Sequence, residues 1–227
     1  MSRQNSVELF DPTTDPNPLG VSWNDWCGKW WNWLFSLPII NNPMFAHDIK
    51  INGKLSARNV NYKISSPPNE TNVIFLTGHR SGIADRTCEI DNGKGIFFPV
   101  AACECSNAEF PRYTKPQLEQ CAHDGNKVTD MEVDIGGLKL NKQQLENKYK
   151  FEGPFELDTN KINKNNIFGA DNQVNLKEAY SVGYWLFVKP VMAETKFDLM
   201  FSQDTEDNPS SNTFNSSFTV RYHITVK

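Results

Sequence analysis

Hydrophobic and polar positions alternate cleanly in the last stretch of the sequence. In "FNSSFTVRYHITVK", Phe214, Phe218, Val220, Tyr222, Ile224 and Val226 share one side, and Asn215, Ser217, Thr219, Arg221, His223 and Thr225 share the other. A period of two puts successive side chains on opposite faces of a strand, so the segment predicts a half-buried antiparallel strand. The same period recurs at Val60, Tyr62 and Ile64, and again at Met131, Val133 and Ile135. There Gly136-Gly137 offers a tight hairpin turn into Leu138 and Leu140. "VIFLTG", "GIFFPVAA" and "GYWLFVKP" are apolar on both faces and predict central strands covered on each side; "KFDLMF" adds another candidate strand. The polar stretches 106–127, 158–178 and 202–213 predict loops.

One segment carries a different period. "VSWNDWCGKWWNWLFSLPIINNP" holds five of the six tryptophans. Ser22 followed by Asp25 is a helix start, supplying an oxygen for the first amides and an acid for the positive end of the dipole. Pro38 closes the run. On a helix over 22–37, Trp23, Trp26, Trp30, Trp33, Leu34 and Leu37 fall within an arc of about 100°. The opposite side is polar, but Lys29 is its only base, which argues for packing on a core rather than lying on a membrane surface. Trp31 and Phe35 lie off the stripe and need a covering loop or a partner; Trp31 is therefore a candidate binding residue.

About ten short strands and one early helix predict an all-β protein, an antiparallel β-sandwich with jelly-roll as its nearest pattern. Residues 1–20 read as a flexible arm and 21–227 as one domain, with no linker and no internal repeat. Composition adds exclusions. At 38% hydrophobic and 22% charged, the 227-residue chain can bury a sizeable core. The net charge of -4 comes without a basic stripe, which argues against a nucleic-acid partner. No apolar run approaches the ~20 residues of a membrane-spanning helix, and the first residues show no signal peptide.

Candidate chemistry is sparse. Four of the five cysteines, Cys88, Cys103, Cys105 and Cys121, crowd a central stretch. Disulfides, buried thiols and a thiolate metal site with His123 are all compatible with that, although the usual Cys-x2-Cys knuckle is missing. Cys105 and Cys121 flank a polar loop, which makes them the first disulfide pair to consider and leaves Cys88 with Cys103 as a second. "GHRSG" is not a nucleophile elbow, because Ser81 stands one position late. Asp130, Glu132 and Asp134 form an acidic ladder that, with Asp158, Asn160 and Asp171, would offer oxygens to calcium, but without EF-hand spacing. Glu104 with Asp85 or Glu89 is a conceivable carboxylate pair for glycoside hydrolysis. No phosphate-cradling loop, HExxH motif or dinucleotide fingerprint is present, so no cofactor and no metal is expected.

Several segments together resemble a family of bacterial and archaeal proteins, mostly exported and without an assigned activity. They are "SWNDWCGKWWNWLFSLPIINNP", "NVIFLTG", "RTCEIDNGKGIFFPVAACECS", "MEVDIGGLKL", "IFG", "GYWLFVKPV" and "FTVRYHITV". The resemblance implies a secreted all-β protein, an extracellular or cell-surface location, and a disulfide role for Cys88 and Cys105. It supplies no catalytic residues. The sequence departs from the family in lacking a leader and in placing Cys27 where a small or polar residue is usual.

Two functional classes follow. One is a non-catalytic binding or structural sandwich that takes a glycan or protein partner, or a second copy of itself, through its polar loops. There Phe110, Tyr113 and Phe168 would be the stacking aromatics. The other is an enzyme, hydrolytic or metal-dependent, with Glu104 and His79 beside the cysteine cluster.

Overall fold

The computed structural model describes residues 7–39, 42–44, 48–51, 54–61, 72–166, 168–169, 177–206 and 217–227, the strands at 48–51 and 54–61 by their backbone alone. Tyr62, Ile64, Asp171 and Phe214 of the sequence reading lie outside the described residues. Among them run helix α1 (Trp23–Ser36), strands β1 (Asp48–Ile51), β2 (Lys54–Asn61), β3 (Val73–Phe75), β4 (Gly82–Ile90) and β5 (Gly95–Ser106), and helix α2 (Lys115–Gly125). Then follow β6 (Val128–Ile135), β7 (Leu138–Asn141), α3 (Lys142–Lys148), β8 (Lys150–Glu156), β9 (Glu178–Val188), β10 (Lys196–Thr205) and β11 (Phe218–Val226).

The strands form a sandwich of two sheets. One is seven-stranded, in the order β1-β2-β4-β11-β10-β6-β7; the other is four-stranded, β3-β5-β9-β8. β5 and β9 are apolar on both faces because both faces are covered. Ile96, Phe98, Leu186 and Val188 join a core with Val133, Leu199, Val220 and Tyr222 of the larger sheet. Phe97, Trp185 and Phe187 turn the other way, into a second core under α1. Pro99 sits in mid-strand, where it cannot donate to the ladder; the register shifts between Pro99 and Ala101, a bulge that accommodates the missing donor.

Helix α1 forms where the period places it. Ser22 accepts from the Asp25 amide at 3.1 Å and caps it. Gly28 costs about 1 kcal/mol as an interior helix glycine, but it lets α1 approach β8: a Cβ there would lie 3.2 Å from Cβ of Phe155.

Three expectations need correction. The sheets are mixed, not wholly antiparallel as in a jelly roll: β3 with β5, β4 with β11 and β2 with β4 are parallel pairs. The stretch 106–127 is not all loop. It contains α2, started by a capping box between Thr114 and Gln117 and holding its core through Leu118 and Ala122. The described part of the expected arm is docked. The Phe10 amide donates to the Phe187 carbonyl and the Lys189 amide to the Glu8 carbonyl, each at 2.8 Å, and Leu9 bridges Val188. The arm thus continues the sheet edge where β8 stops, at the pairing of Lys150 with Tyr184.

Candidate functional site

Glu104 and His79 go to different clusters. His79 is fully buried, with its Nδ1 3.3 Å from a guanidinium nitrogen of Arg86. That guanidinium donates to the carbonyls of Thr77 at 3.1 Å and Pro43 at 2.7 Å and to the Tyr222 hydroxyl, which itself donates to the Thr77 carbonyl at 2.7 Å. The cluster cinches the "GHRSG" connection down onto β4 and β11. It spends its donors on backbone oxygens, which is the work of a structural knot.

Glu104 stands near the end of β5, directly opposite Ser181 of β9. It is 7% exposed, and among the described residues neither carboxylate oxygen has an N–H or O–H donor. The group that faces it is the carboxyl of Glu109, whose Oε2 accepts from the Ser106 hydroxyl at 3.0 Å. Burial and the Glu109 charge push the Glu104 carboxyl well above the usual range, and burial raises Glu109 too. The carboxyl partners weighed from sequence, Asp85 and Glu89, lie on β4 in the other sheet.

Beyond this pair the chain makes a compact loop into α2. The amide of Glu109 donates to the Ser106 carbonyl at 3.2 Å and that of Phe110 to the same oxygen at 2.8 Å. Asn107 is fully buried and donates its side-chain amide to the carbonyls of Phe110, at 3.3 Å, and Tyr113, at 2.8 Å, so one side chain ties both ends of residues 110–113. On that frame Phe110 and Tyr113 stack at 4.8 Å and 15°, with Tyr113 39% exposed and Arg112 exposed between them. The Cys105–Cys121 disulfide, with 6.0 Å between Cα atoms, fastens α2 to the strand face opposite Glu104.

The remaining sequence candidates are scattered. Trp31 and Phe168 belong to the core under α1, 6.1 Å apart, and Phe168 also packs on Phe35 at 4.7 Å; the covering loop is the one running on from β8. Cys88 and Cys103 are free thiols, not a second disulfide, and the implied disulfide role of Cys88 is likewise corrected. The two lie on different sheets, Cys88 in the inter-sheet core, and burial pushes each thiol up to about 12. The acidic ladder and its supposed calcium loop are also apart. Asp130, Glu132 and Asp134 are on β6, whereas the 158–166 loop is bound to α1, with Asn163 donating to the Phe35 carbonyl at 3.0 Å. Among the described residues, no three His, Cys, Asp or Glu side chains converge on a metal-sized site.

Sequence reasoning missed two arrangements. His223, placed on the polar face of its strand, is clamped between Asp85 at 2.7 Å and Asp198 at 2.8 Å. The Asp198 contact leads in raising its pKa. A groove of about 590 Å³ runs between the polar side of α1 and β8, lined among others by Asn24, Lys29, Asn32 and Phe155. Asn32 is committed there, donating to the Gly28 and Glu156 carbonyls and accepting from the Asp158 amide at 2.6 Å.

No family model matches the chain, and no curated protein matches it. Among solved structures, PbICP-C in complex with falcipain-2 is 13% identical, covering 69% of this chain and 99% of that one, with a TM-score of 0.28. Amebosin is 9% identical over 70% of this chain and 100% of that one, with a TM-score of 0.23. The Plasmodium falciparum protein Pf12p is 8% identical over 64% of this chain and 43% of that one, with a TM-score of 0.25. Likenesses at such TM-scores do not amount to a common fold. No described helix is long and apolar enough to cross a membrane.

Proposed function

We propose that the protein is a non-catalytic binding module that takes a glycan on the Phe110–Tyr113 platform. The observation that carries this reading is the near-parallel aromatic pair, Tyr113 exposed and Phe110 half-buried behind it, held from beneath by the buried Asn107. A flat aromatic face presents a π surface to the C–H face of a pyranose, and Arg112 stands beside it to bind a hydroxyl or carboxylate. Because the loop is already ordered, little conformational entropy is lost when ligand arrives. A protein interface needs about 800 Å² per partner. Among the described residues the other exposed large apolar side chains, Leu19, Ile39, Ile83, Leu138 and Met192, belong to other segments.

The enzyme reading fares worse on the same geometry. Glu104 is buried, the carboxyl partners weighed for it lie in the other sheet, and His79 is committed to the Arg86 knot. The disulfide suits an oxidising compartment, in keeping with the extracellular setting that the family resemblance implies. Titration of immobilised mono- and disaccharides against the wild-type chain and Tyr113→Ala tests the proposal. The expected outcome is at least tenfold weaker binding in the variant with an unchanged melting temperature. Equal binding by both chains rejects the platform, and glycan turnover lost in Glu104→Gln favours the enzyme.

A further inference from the structure

The base of the platform contains an electrostatic problem. Glu104 is buried with no donor to either oxygen among the described residues, and what faces it is another carboxyl. Two carboxylates in contact repel, and inside a protein that repulsion is little screened. The contact becomes attractive when one proton sits between them: a protonated Glu104 donates to Glu109, which also accepts from Ser106. We propose that Glu104 and Glu109 share one proton and act as a latch on the aromatic loop, closed while the proton is held and opened when it leaves. This rests on the reading of that loop as the ligand platform.

The placement gives the latch its leverage. Glu104 and Ser106 lie two residues apart on one face of β5, and the Ser106 hydroxyl holds the Glu109 carboxyl at 3.0 Å, so the two acids stand on either side of the turn from which residues 110–113 project. The titratable groups bearing on Glu104 are Glu109 and the Cys103 thiol. Across the ladder, β9 presents Ser181 opposite Glu104 and Ala179 opposite Ser106, and Glu178 beyond them is paired with Lys115 of α2 at 3.1 Å. From α1 comes the indole of Trp31, which donates to the Ser181 hydroxyl at 2.8 Å. On the opposite face, α2 contributes Cys121, held in the disulfide.

The sign follows from the direction of the shifts. Both carboxyls bind protons more tightly in the folded chain than in the unfolded one. The closed loop is therefore fully stabilised below the ordinary carboxyl range and loses that stabilisation as pH rises through the raised folded values. Amide exchange of residues 107–113, measured without ligand in the wild-type chain and in Glu104→Gln and divided by the intrinsic rate at each pH, reads the latch directly. Glu104→Gln keeps a donor toward Glu109 and removes the proton. Between pH 5 and pH 9 the wild-type loop should lose protection at least tenfold, while the variant stays closed. Carboxyl carbon NMR of the unmutated chain provides a second measurement, in which Glu104 and Glu109 should titrate together above the other carboxyls. Identical pH profiles in the two chains, or ordinary titration of both acids, overturn the latch. Recovery of protection on adding calcium at pH 9 also overturns it, by making the counter-ion a cation. Because no ligand is present, a failed platform leaves these readouts intact. A failed latch leaves glycan binding at pH 5 intact.

Discussion

The two faces of the four-stranded sheet are covered by different material. Toward the larger sheet the contacts come mainly from alternating strand residues such as Phe98, Leu186, Leu199 and Val220. Toward α1 the core is dominated by rings: the five helix tryptophans with Phe75, Phe97, Trp185 and Phe187. A strand ladder already satisfies its backbone, so the first face needs only shape. The second face must also hold irregular chain. Trp23 donates its indole N–H to the Asp15 carbonyl at 2.9 Å, Trp26 to Pro18 at 3.0 Å and Trp30 to Leu76 at 2.8 Å. Those carbonyls lie outside the strands, and the tryptophans fill the space under the helix while pinning chain at or beyond the ends of the ladders. That is why one short stretch collects most of the tryptophan of the chain.

This contrast can be broken most severely at its centre. Trp30→Ala should cost about 3–5 kcal/mol, as for a large buried aromatic, and urea unfolding followed by circular dichroism checks it. An unchanged midpoint would mean that α1 is not part of the core. The inter-sheet side is closed at its end by covalent chemistry instead. Replacing both Cys105 and Cys121 by Ser should cost about 3 kcal/mol, the chain-entropy value for a loop of about 15 residues. Peptide mapping that found both thiols free in protein purified without reductant would remove that difference between the faces. The finest test separates ring from hydrogen bond. Trp185 has no partner for its indole N–H among the described residues. Trp30→Phe, which strands the buried Leu76 carbonyl, should therefore cost about 1–2 kcal/mol more than Trp185→Phe. Equal costs would reduce the helix tryptophans to filler.

Legibility in the sequence tracked how local the cause was. Helix α1 and strands β10 and β11 are written in their own periods and caps, and the Cys105–Cys121 bridge is legible because the two cysteines bracket one short polar stretch, although the second of them stands inside α2. Helix α2 was missed although its signs were present: Thr114, Pro116, Gln117, and Leu118 with Ala122 on one face. Its low apolar content hid them. The parallel pairings could not be read at all, because β4 finds β11 across more than half the chain and no local pattern records a partner. The Glu104–Glu109 contact had the same difficulty at short range. The sequence offers Glu104 as one of a carboxylate pair beside the cysteine cluster, but its neighbour Glu109 falls in a stretch that reads as loop, and the turn that folds it back is set by Asn107 and Ser106. His79 stands apart from the cysteine cluster because the knot it joins, in the connection between β3 and β4, is tied by Arg86 of β4 and Tyr222 of β11.

The position of β11 has a consequence for synthesis. It is the last strand of this sequence, yet it stands in the interior of the larger sheet, between β4 and β10. A chain emerging from the ribosome can form the β6–β7 hairpin early, but the edges of β4 and β10 stay unpaired until residues 218–226 are out. Partners this distant slow folding and leave open strand edges that invite association with other chains. Loss of that final segment would leave the larger sheet divided in two rather than merely shortened.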